Sequence, residues 1–510
     1  MLNLFRPSHV SNLNAPLLHL SRRDRWTVRD ALDGGVQVFG SSGSGKTSGS
    51  GQALATAFLR AGWGGLVLCA KNDEAARWQR YCKIEGRARS FIRFDGSGAR
   101  RFNFLDYTMA TQPSEGLTDN VVSLLLTVLD GAEGKIGGDS GDQAFWAASS
   151  RQLLSHAIGA LWAAYGRITI AELVEFIQSR PMQPEQVTQA EFRETFWART
   201  MHKARTAPAH SLPEAEFRGI FNYFVHVLAQ PDQRTSGNIV ATISARLHPL
   251  LHGKLHELFC TTTNTIPELV LEGGAILAID LPVEEYGEAG VLAAQIWKYL
   301  WQRACGRRKV NGRTRPVFVW ADECQFFLSP HDAQFVSTSR SKLACSVYLT
   351  QNLPTYYARI QARNPQDVAD SLIGNFSTKI FHAQTDPRTN QWAADLIGKG
   401  TVWRHSQGEN VNTGWSQGRN FGDSSGTNNS SSSRDSSSGS QSGSSSGQQS
   451  GSSGGSGANW SVQEQIDYAI QPSYFTTLRK SGGTVDALLF QGGKPFRHSG
   501  ATWLPVSFRQ

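Results

Sequence analysis

Near its N-terminal end the chain sets short, largely apolar runs between polar, glycine-containing stretches. Val36–Phe39, residues 65–70 and residues 91–94 are apolar at successive positions, so each reads as a strand buried on both faces. The signature returns over residues 275–281, 316–321, 344–350 and 378–382, with an apolar helical pattern over residues 290–304. Strands that alternate with helices imply α/β order and a mostly parallel sheet. From residue 108 to 247 the period changes. Phe145, Trp146, Leu153, Leu154, Ile158, Leu161 and Trp162 recur largely at three- and four-residue steps over residues 144–164, which gives one helix an apolar face. Residues 171–178 and 214–228 repeat that character. Residues 414–458 are nearly all Ser, Gly, Asn and Gln, with almost nothing to bury, and predict a flexible coil. Beyond them residues 460–478 read as a helix and 485–490 as a strand, so the tract is an insertion or a tether and not a tail.

Composition adds bounds. The 510 residues suffice for two or three domains, and a hydrophobic share of 39% suffices for ordinary cores. A net charge of +8 suits a polyanionic partner without demanding one. Six scattered cysteines, with no C-x-x-C pair, read as reduced core residues in a reducing compartment. No signal peptide is visible, and the longest apolar runs, residues 121–129 and 274–281, fall short of the ~20 residues that span a bilayer. The expectation is a soluble cytoplasmic protein, with peripheral docking at the inner face of the cell membrane left open.

The chemistry is densest at GSSGSGKT, Gly40–Ser41–Ser42–Gly43–Ser44–Gly45–Lys46–Thr47, followed by Ser48. It fits G-x-x-x-x-G-K-[ST] directly after the Val36–Phe39 strand. The glycines let the backbone turn tightly enough for its N–H groups to point inward at phosphate oxygens. Lys46 then reaches the β- and γ-phosphates of ATP, Thr47 contributes to the Mg²⁺ shell, and the helix starting near Lys46 adds its positive dipole end. The second candidate is Asp322–Glu323, ending an apolar run. In P-loop ATPases the first acid holds Mg²⁺ and the second polarises the attacking water, which requires both at the C-terminal end of a strand beside the P-loop. The long interval from Lys46 to Asp322 is best explained by a helical domain inserted into one NTPase core.

Four other features leave alternatives open. Arg340 is either a solvated surface arginine or, as in ring ATPases, a residue that crosses to a neighbouring subunit's γ-phosphate. Gln351, at the tip of the next strand, is either an ordinary polar strand end or a residue whose amide could sense that phosphate. His248, His252 and His256 recur every four residues, but Pro249 and Gly253 interrupt the helix, so exposed or satisfied histidines are favoured over metal ligands. Arg307, Arg308, Lys309, Arg313 and Arg315 could contact phosphates, but they lie at the end of the strand away from the acids, so a solvated basic turn is favoured.

Taken in order, these motifs resemble the coupling-protein ATPases of type IV secretion and conjugation, the TraG/TraD-like members of the HerA–FtsK superfamily. The resemblance runs through VQVFGSSGSGKTSG, LVLCAKNDE, RFNFLDY, GGAILAIDLP, VFVWADECQFF, the Arg340 segment and YLTQN, and closes on NFSTKIFHAQTDPRTNQWAADLIGKGTV, which looks like the TraM-recognition core. It implies a RecA-like motor interrupted by an all-α domain, assembled as a homo-hexamer that hydrolyses ATP with Mg²⁺ and moves DNA through a central pore. It also implies a relaxase or other transferred protein as cargo and a secretion-channel or membrane-docking protein as partner. Lys46, Glu323, Arg340 and Gln351 would be catalytic, Arg340 in trans. Gly40 to Ser48 would bind nucleotide, and Thr47 and Asp322 would bind Mg²⁺. The chain departs from the family twice. Members usually begin with transmembrane helices, whereas here the P-loop strand opens at Val36; and the second strand commonly ends in Asp-Pro-Lys-Gly, whereas here it reads Cys69–Ala70–Lys71–Asn72. Lys71 is kept; the acid is not.

The expected layout is an N-terminal segment and first core part over 1–107, the all-α insertion over 108–247, the second core part over 248–413, the Ser/Gly-rich insertion over 414–458, and a closing helix and strand over 459–510. Two other functions fit the same residues: a HerA-like soluble DNA motor unconnected to secretion, and a nucleotide-regulated adaptor recruiting protein cargo.

Overall fold

The computed structural model describes residues 12–111, 117–136, 142–206, 212–229, 233–416 and 451–510. They form two compact units, one of Met1–Ile397 with Gln471–Gln510 and one of Gly398–Ile470.

In chain order the strands are β1 Pro16–His19, β2 Arg25–Thr27, β3 Val36–Phe39, β4 Gly64–Leu68, β5 Phe91–Asp95, β6 Ile276–Asp280, β7 Val317–Ala321, β8 Ala344–Thr350, β9 Thr378–His382, β10 Lys399–Ser416, β11 Gly451–Tyr468, β12 Thr484–Gln491 and β13 Trp503–Arg509. A nine-stranded sheet runs β13-β12-β9-β3-β8-β7-β4-β6-β5. From β9 to β5 every pairing is parallel, and β12 and β13 add an antiparallel hairpin at the β9 edge. Strands β3, β4, β6, β7, β8 and β9 are buried at every position, as expected of parallel strands covered on both faces. The α/β, mostly parallel core expected from the apolar runs is therefore what forms, and it suits the RecA-like core that the resemblance implies.

Between Phe104 and Phe259 the described residues hold helices and no strand. Leu153, Leu154, Ile158, Phe176, Trp197 and Phe224 are buried among these helices. Arg246 reaches Asp130 and Glu133, both at 2.6 Å, and so ties helix Gln233–Leu247 to helix Leu117–Glu133. Helix Leu117–Glu133 in turn packs on helix Glu288–Arg307, which is buried along most of its length. Inside this last helix a fully buried ion pair, Lys298 with Asp332 at 2.6 Å, fastens it to the segment after β7.

Several expectations need correction. Residues 460–478 are not one helix: β11 continues to Tyr468, and only Tyr474–Thr477 is helical. Trp460, Val462, Ile466 and Tyr468 share one parity, which suits a strand as well as a helix face, and pairing with residues 399–416 decides the matter. Residues 414–416 and 451–458 accordingly belong to strands and not to coil, while 417–450 lie outside the described residues. The closing segment holds two strands, β12 and β13, where one was expected. The basic turn is not simply solvated either. Arg308 donates to the Leu343 carbonyl at 2.8 Å and Arg315 to the Gly62 carbonyl at 2.7 Å. Burial pulls both guanidiniums below the usual arginine range, while each satisfies carbonyls at the N-terminal end of the sheet.

Candidate functional site

The site lies across the C-terminal ends of four parallel strands. β3 runs into Gly40–Thr47, β8 into Gln351, β7 into Asp322–Glu323 and β4 into Ala70–Lys71. The acids were expected on a strand beside the P-loop strand; β8 stands between the two. Lys46 nevertheless crosses this gap, its Nζ lying 3.4 Å from Glu323 Oε1.

The loop itself follows from its composition. Gly43 and Gly45 take positive φ values of 70° and 86°. At Gly45 a Cβ would stand 2.6 Å from Val485 of β12, so both backbone conformation and close approach require glycine. Ser41 is held by the Ala383 carbonyl, which accepts from its N–H and from its hydroxyl, both at 3.0 Å. The expected helix begins as a wide π-helical turn, Lys46–Gly51, before helix Gln52–Arg60. Ser and Gly are weak helix formers, which makes the looser first turn inexpensive. Ser48 accepts from Gln510 Nε2 at 3.0 Å.

Two contacts set the electrostatics. Thr47 Oγ1 donates to Asp322 Oδ2 at 2.7 Å. Glu323 receives three groups: Lys46 and Lys71 (3.0 Å) at Oε1, and Gln325 Nε2 (3.0 Å) at Oε2. Burial alone would raise the Glu323 carboxyl, but Lys46, Gln325 and Lys71 outweigh it and hold the group at about 2. Burial would likewise depress Lys71, and Asp322 with Glu323 reverses that. Glu323 sits at φ 51°, ψ 49°, a left-handed conformation that costs a non-glycine residue ~1–2 kcal/mol. The turn presents the side chain of Glu323 to the cleft beside the P-loop.

A cleft of about 740 Å³ joins these groups and is lined by Ser42–Ser48, Lys71, Arg77, Arg80, Glu323 and Gln351 among others. Gln351 thus stands in the same cleft as Lys46. Arg340 does not. It lies in the turn before β8, at the opposite end of the sheet, and pairs with Asp33 at 2.8 Å, both side chains exposed. The seven residues of β8 put it roughly 20 Å or more from the cleft. His248, His252 and His256 sit in separate turns and a short helix, His256 bonded through Nδ1 to the Leu250 carbonyl at 3.2 Å.

Sequence reasoning missed four participants. Glu74 folds back to accept from the Ala70 N–H at 2.8 Å, so an acid does stand at the end of β4, supplied from four residues further on. Its carboxyl is raised by burial and by Asp322. Gln325 is two residues beyond the acid pair, and Thr350 Oγ1 donates to it at 3.0 Å. His382, fully buried at the end of β9, meets Ser50 Oγ at 2.7 Å behind the P-loop. None of these belongs to a periodic pattern. Only the acid absent at Cys69 pointed to anything, since it raised the question of where a replacement would come from.

The residues fit a nucleoside triphosphate with Mg²⁺. Positive-φ glycines open the loop, and the buried Ser44 hydroxyl has no hydrogen-bond partner within the protein. The Thr47 hydroxyl and Asp322 carboxylate are close enough to serve one small oxygen-ligated cation.

Residues 316–465 match the family model for the TraM recognition site of TraD and TraG. Among solved structures, the plasmid coupling protein TrwB in complex with a non-hydrolysable ATP analogue superposes with a TM-score of 0.59 at 14% identity, covering 98% of this chain and 91% of that one. TrwB with ADP and Mg²⁺ gives 0.57 at 15% identity, covering 94% and 87%. The unbound monoclinic form of the conjugative coupling protein TrwBdeltaN70 gives 0.57 at 14%, covering 94% and 85%. No curated protein matches in sequence. The chain is thus TraG/TraD-like over its C-terminal core and shares the fold of TrwB.

Proposed function

We propose that this chain is the ATP-hydrolysing coupling protein of a conjugative or type IV secretion system, moving DNA or a nucleoprotein substrate toward a transfer channel. The observation that carries this reading is the junction of the two motifs across the cleft: Thr47 on Asp322, and Lys46 with Lys71 on Glu323. The match of residues 316–465 to a coupling-protein family model favours secretion over a free-standing DNA motor.

In this reading the backbone N–H groups of Gly43 to Thr47 and the Lys46 ammonium bind the β- and γ-phosphates. Thr47 and Asp322 would hold Mg²⁺, which would supply charge neutralisation for the phosphates. Glu323, ionised throughout the working pH range, accepts a hydrogen bond from the attacking water and aligns it with the γ-phosphorus. Lys71 keeps that carboxylate charged and oriented, and Gln351 reads the γ-phosphate through its amide. Arg340 stands too far away to serve its own chain, and its exposed guanidinium is suited to a second copy in a homo-hexamer, where it would stabilise charge leaving the γ-phosphoryl group. The net charge of +8 suits DNA in the central pore, with a relaxase as cargo and a channel or membrane-docking protein as partners.

The test is ATP hydrolysis with and without DNA. DNA should raise the rate, and Lys46→Ala and Glu323→Gln should each abolish it, by about 100-fold or more. Steady hydrolysis indifferent to DNA would favour the cargo-recruiting adaptor instead.

A further inference from the structure

The Glu323 carboxylate is held from one side by cations and from the other by a neutral chain. Gln325 Nε2 donates to Glu323 Oε2 at 3.0 Å, and Thr350 Oγ1 donates to Gln325 Oε1 at 3.0 Å. Glu323, Gln325 and Thr350 are all buried. The direction of this chain is fixed by chemistry. An ionised carboxylate only accepts, so the amide must turn its NH₂ toward Glu323 and its oxygen toward Thr350. The threonine hydroxyl must then be the donor.

Thr350 is the last residue of β8, next to Gln351 in the cleft. The carbonyls of Thr350 and Gln351 both accept from the Gly40 N–H, at 3.3 and 3.2 Å. One continuous set of hydrogen bonds thus runs from the first residue of the P-loop through the tip of β8 to Glu323. The turn carrying Gln325 is also braced from behind, where Cys324 Sγ and Tyr356 Oη lie 3.0 Å apart.

We infer that Gln325 and Thr350 are positioning residues that hold Glu323 in its water-aligning orientation and tie that orientation to the P-loop through the tip of β8. The inference rests on the proposed function, in which Glu323 orients the attacking water. Gln325 acts through Glu323: its amide restricts the carboxylate to one rotation, and Thr350 restricts the amide in turn.

The experiment compares Gln325→Leu, Thr350→Val, the double variant, Thr350→Ser and Glu323→Gln in the full chain. Gln325→Leu should lower kcat about tenfold while leaving KM for ATP and the affinity for a fluorescent ATP analogue within twofold. Thr350→Val should lower kcat in the same direction. The double variant should be no slower than Gln325→Leu alone, because both remove one linked constraint. Thr350→Ser, which keeps the hydroxyl, should restore the rate. Without nucleotide, amide hydrogen exchange over residues 323–326 should quicken in Gln325→Leu and Thr350→Val and not in Thr350→Ser. Unchanged kcat and exchange in a folded Thr350→Val, or losses that multiply in the double variant, would overturn the inference while Glu323→Gln still abolished hydrolysis. Hydrolysis retained in Glu323→Gln would instead overturn the proposed function, and the inference with it.

Discussion

His382 shows how much a single buried side chain sets at this site. It is fully buried behind the P-loop and meets Ser50 at 2.7 Å. Burial, helped by the nearby Lys46 charge, holds its imidazole down at about 3. An unfolded histidine takes up its proton near pH 6.5, so between about 6.5 and 3 the unfolded chain binds a proton that the folded chain refuses. Stability is therefore full above pH 6.5 and falls as the pH drops through this window. The expected loss is on the order of 4–5 kcal/mol by pH 3, and His382→Gln should flatten that part of the curve in urea titrations at several pH values. At this scale the sequence revealed Gly40–Thr47 and Asp322–Glu323, because their chemistry is written in adjacent letters. Glu74, Gln325 and His382 were invisible, because each becomes informative only when the fold carries it to a partner.

Elements divide in a similar way. β3, β4, β6, β7, β8 and β9 were readable as continuous apolar runs because parallel strands covered on both faces admit no polar alternation. The antiparallel pair β10–β11 was not, since its strands owe their conformation to each other across a tract of serine and glycine. Helix Glu288–Arg307 was readable as a helix, yet its polar buried residues were not readable as a clamp. Lys298 and Asp332 are both fully buried, and Gln302 Nε2 adds a 2.9 Å bond to Asp332. Removing one charge from such a pair leaves the other uncompensated. Lys298→Met should therefore destabilise the fold by about 3–5 kcal/mol, and Lys298→Met with Asp332→Leu by distinctly less, measured by denaturant unfolding. A double variant as unstable as the single would mean that packing and not charge dominates here.

At the scale of the whole molecule the two ends of the sheet carry different groups. The C-terminal ends of the strands gather Lys46, Lys71, Asp322, Glu323 and Gln351, whereas Arg340 and Asp33 lie exposed at the other end. If Arg340 serves a neighbouring copy, hydrolysis per chain should rise with protein concentration until assembly is complete. Arg340→Ala should then lower the plateau about 10³-fold, the scale of a lost arginine finger, without moving the concentration at which assembly occurs. A plateau unchanged in an assembled Arg340→Ala ring would show the residue to be an ordinary surface arginine.

The hairpin β12–β13 that walls the P-loop has a consequence for how the protein is made. Val485 and Phe508 close over Gly45 and Gly49, and Gln510 reaches Ser48 across 462 positions of chain. At about 5–20 residues per second, a ribosome needs roughly 20–90 s to travel that distance. Throughout that interval the phosphate loop has left the ribosome without the wall that packs it. The phosphate loop thus acquires this wall only once residues 484–510 have been made, long after the loop itself.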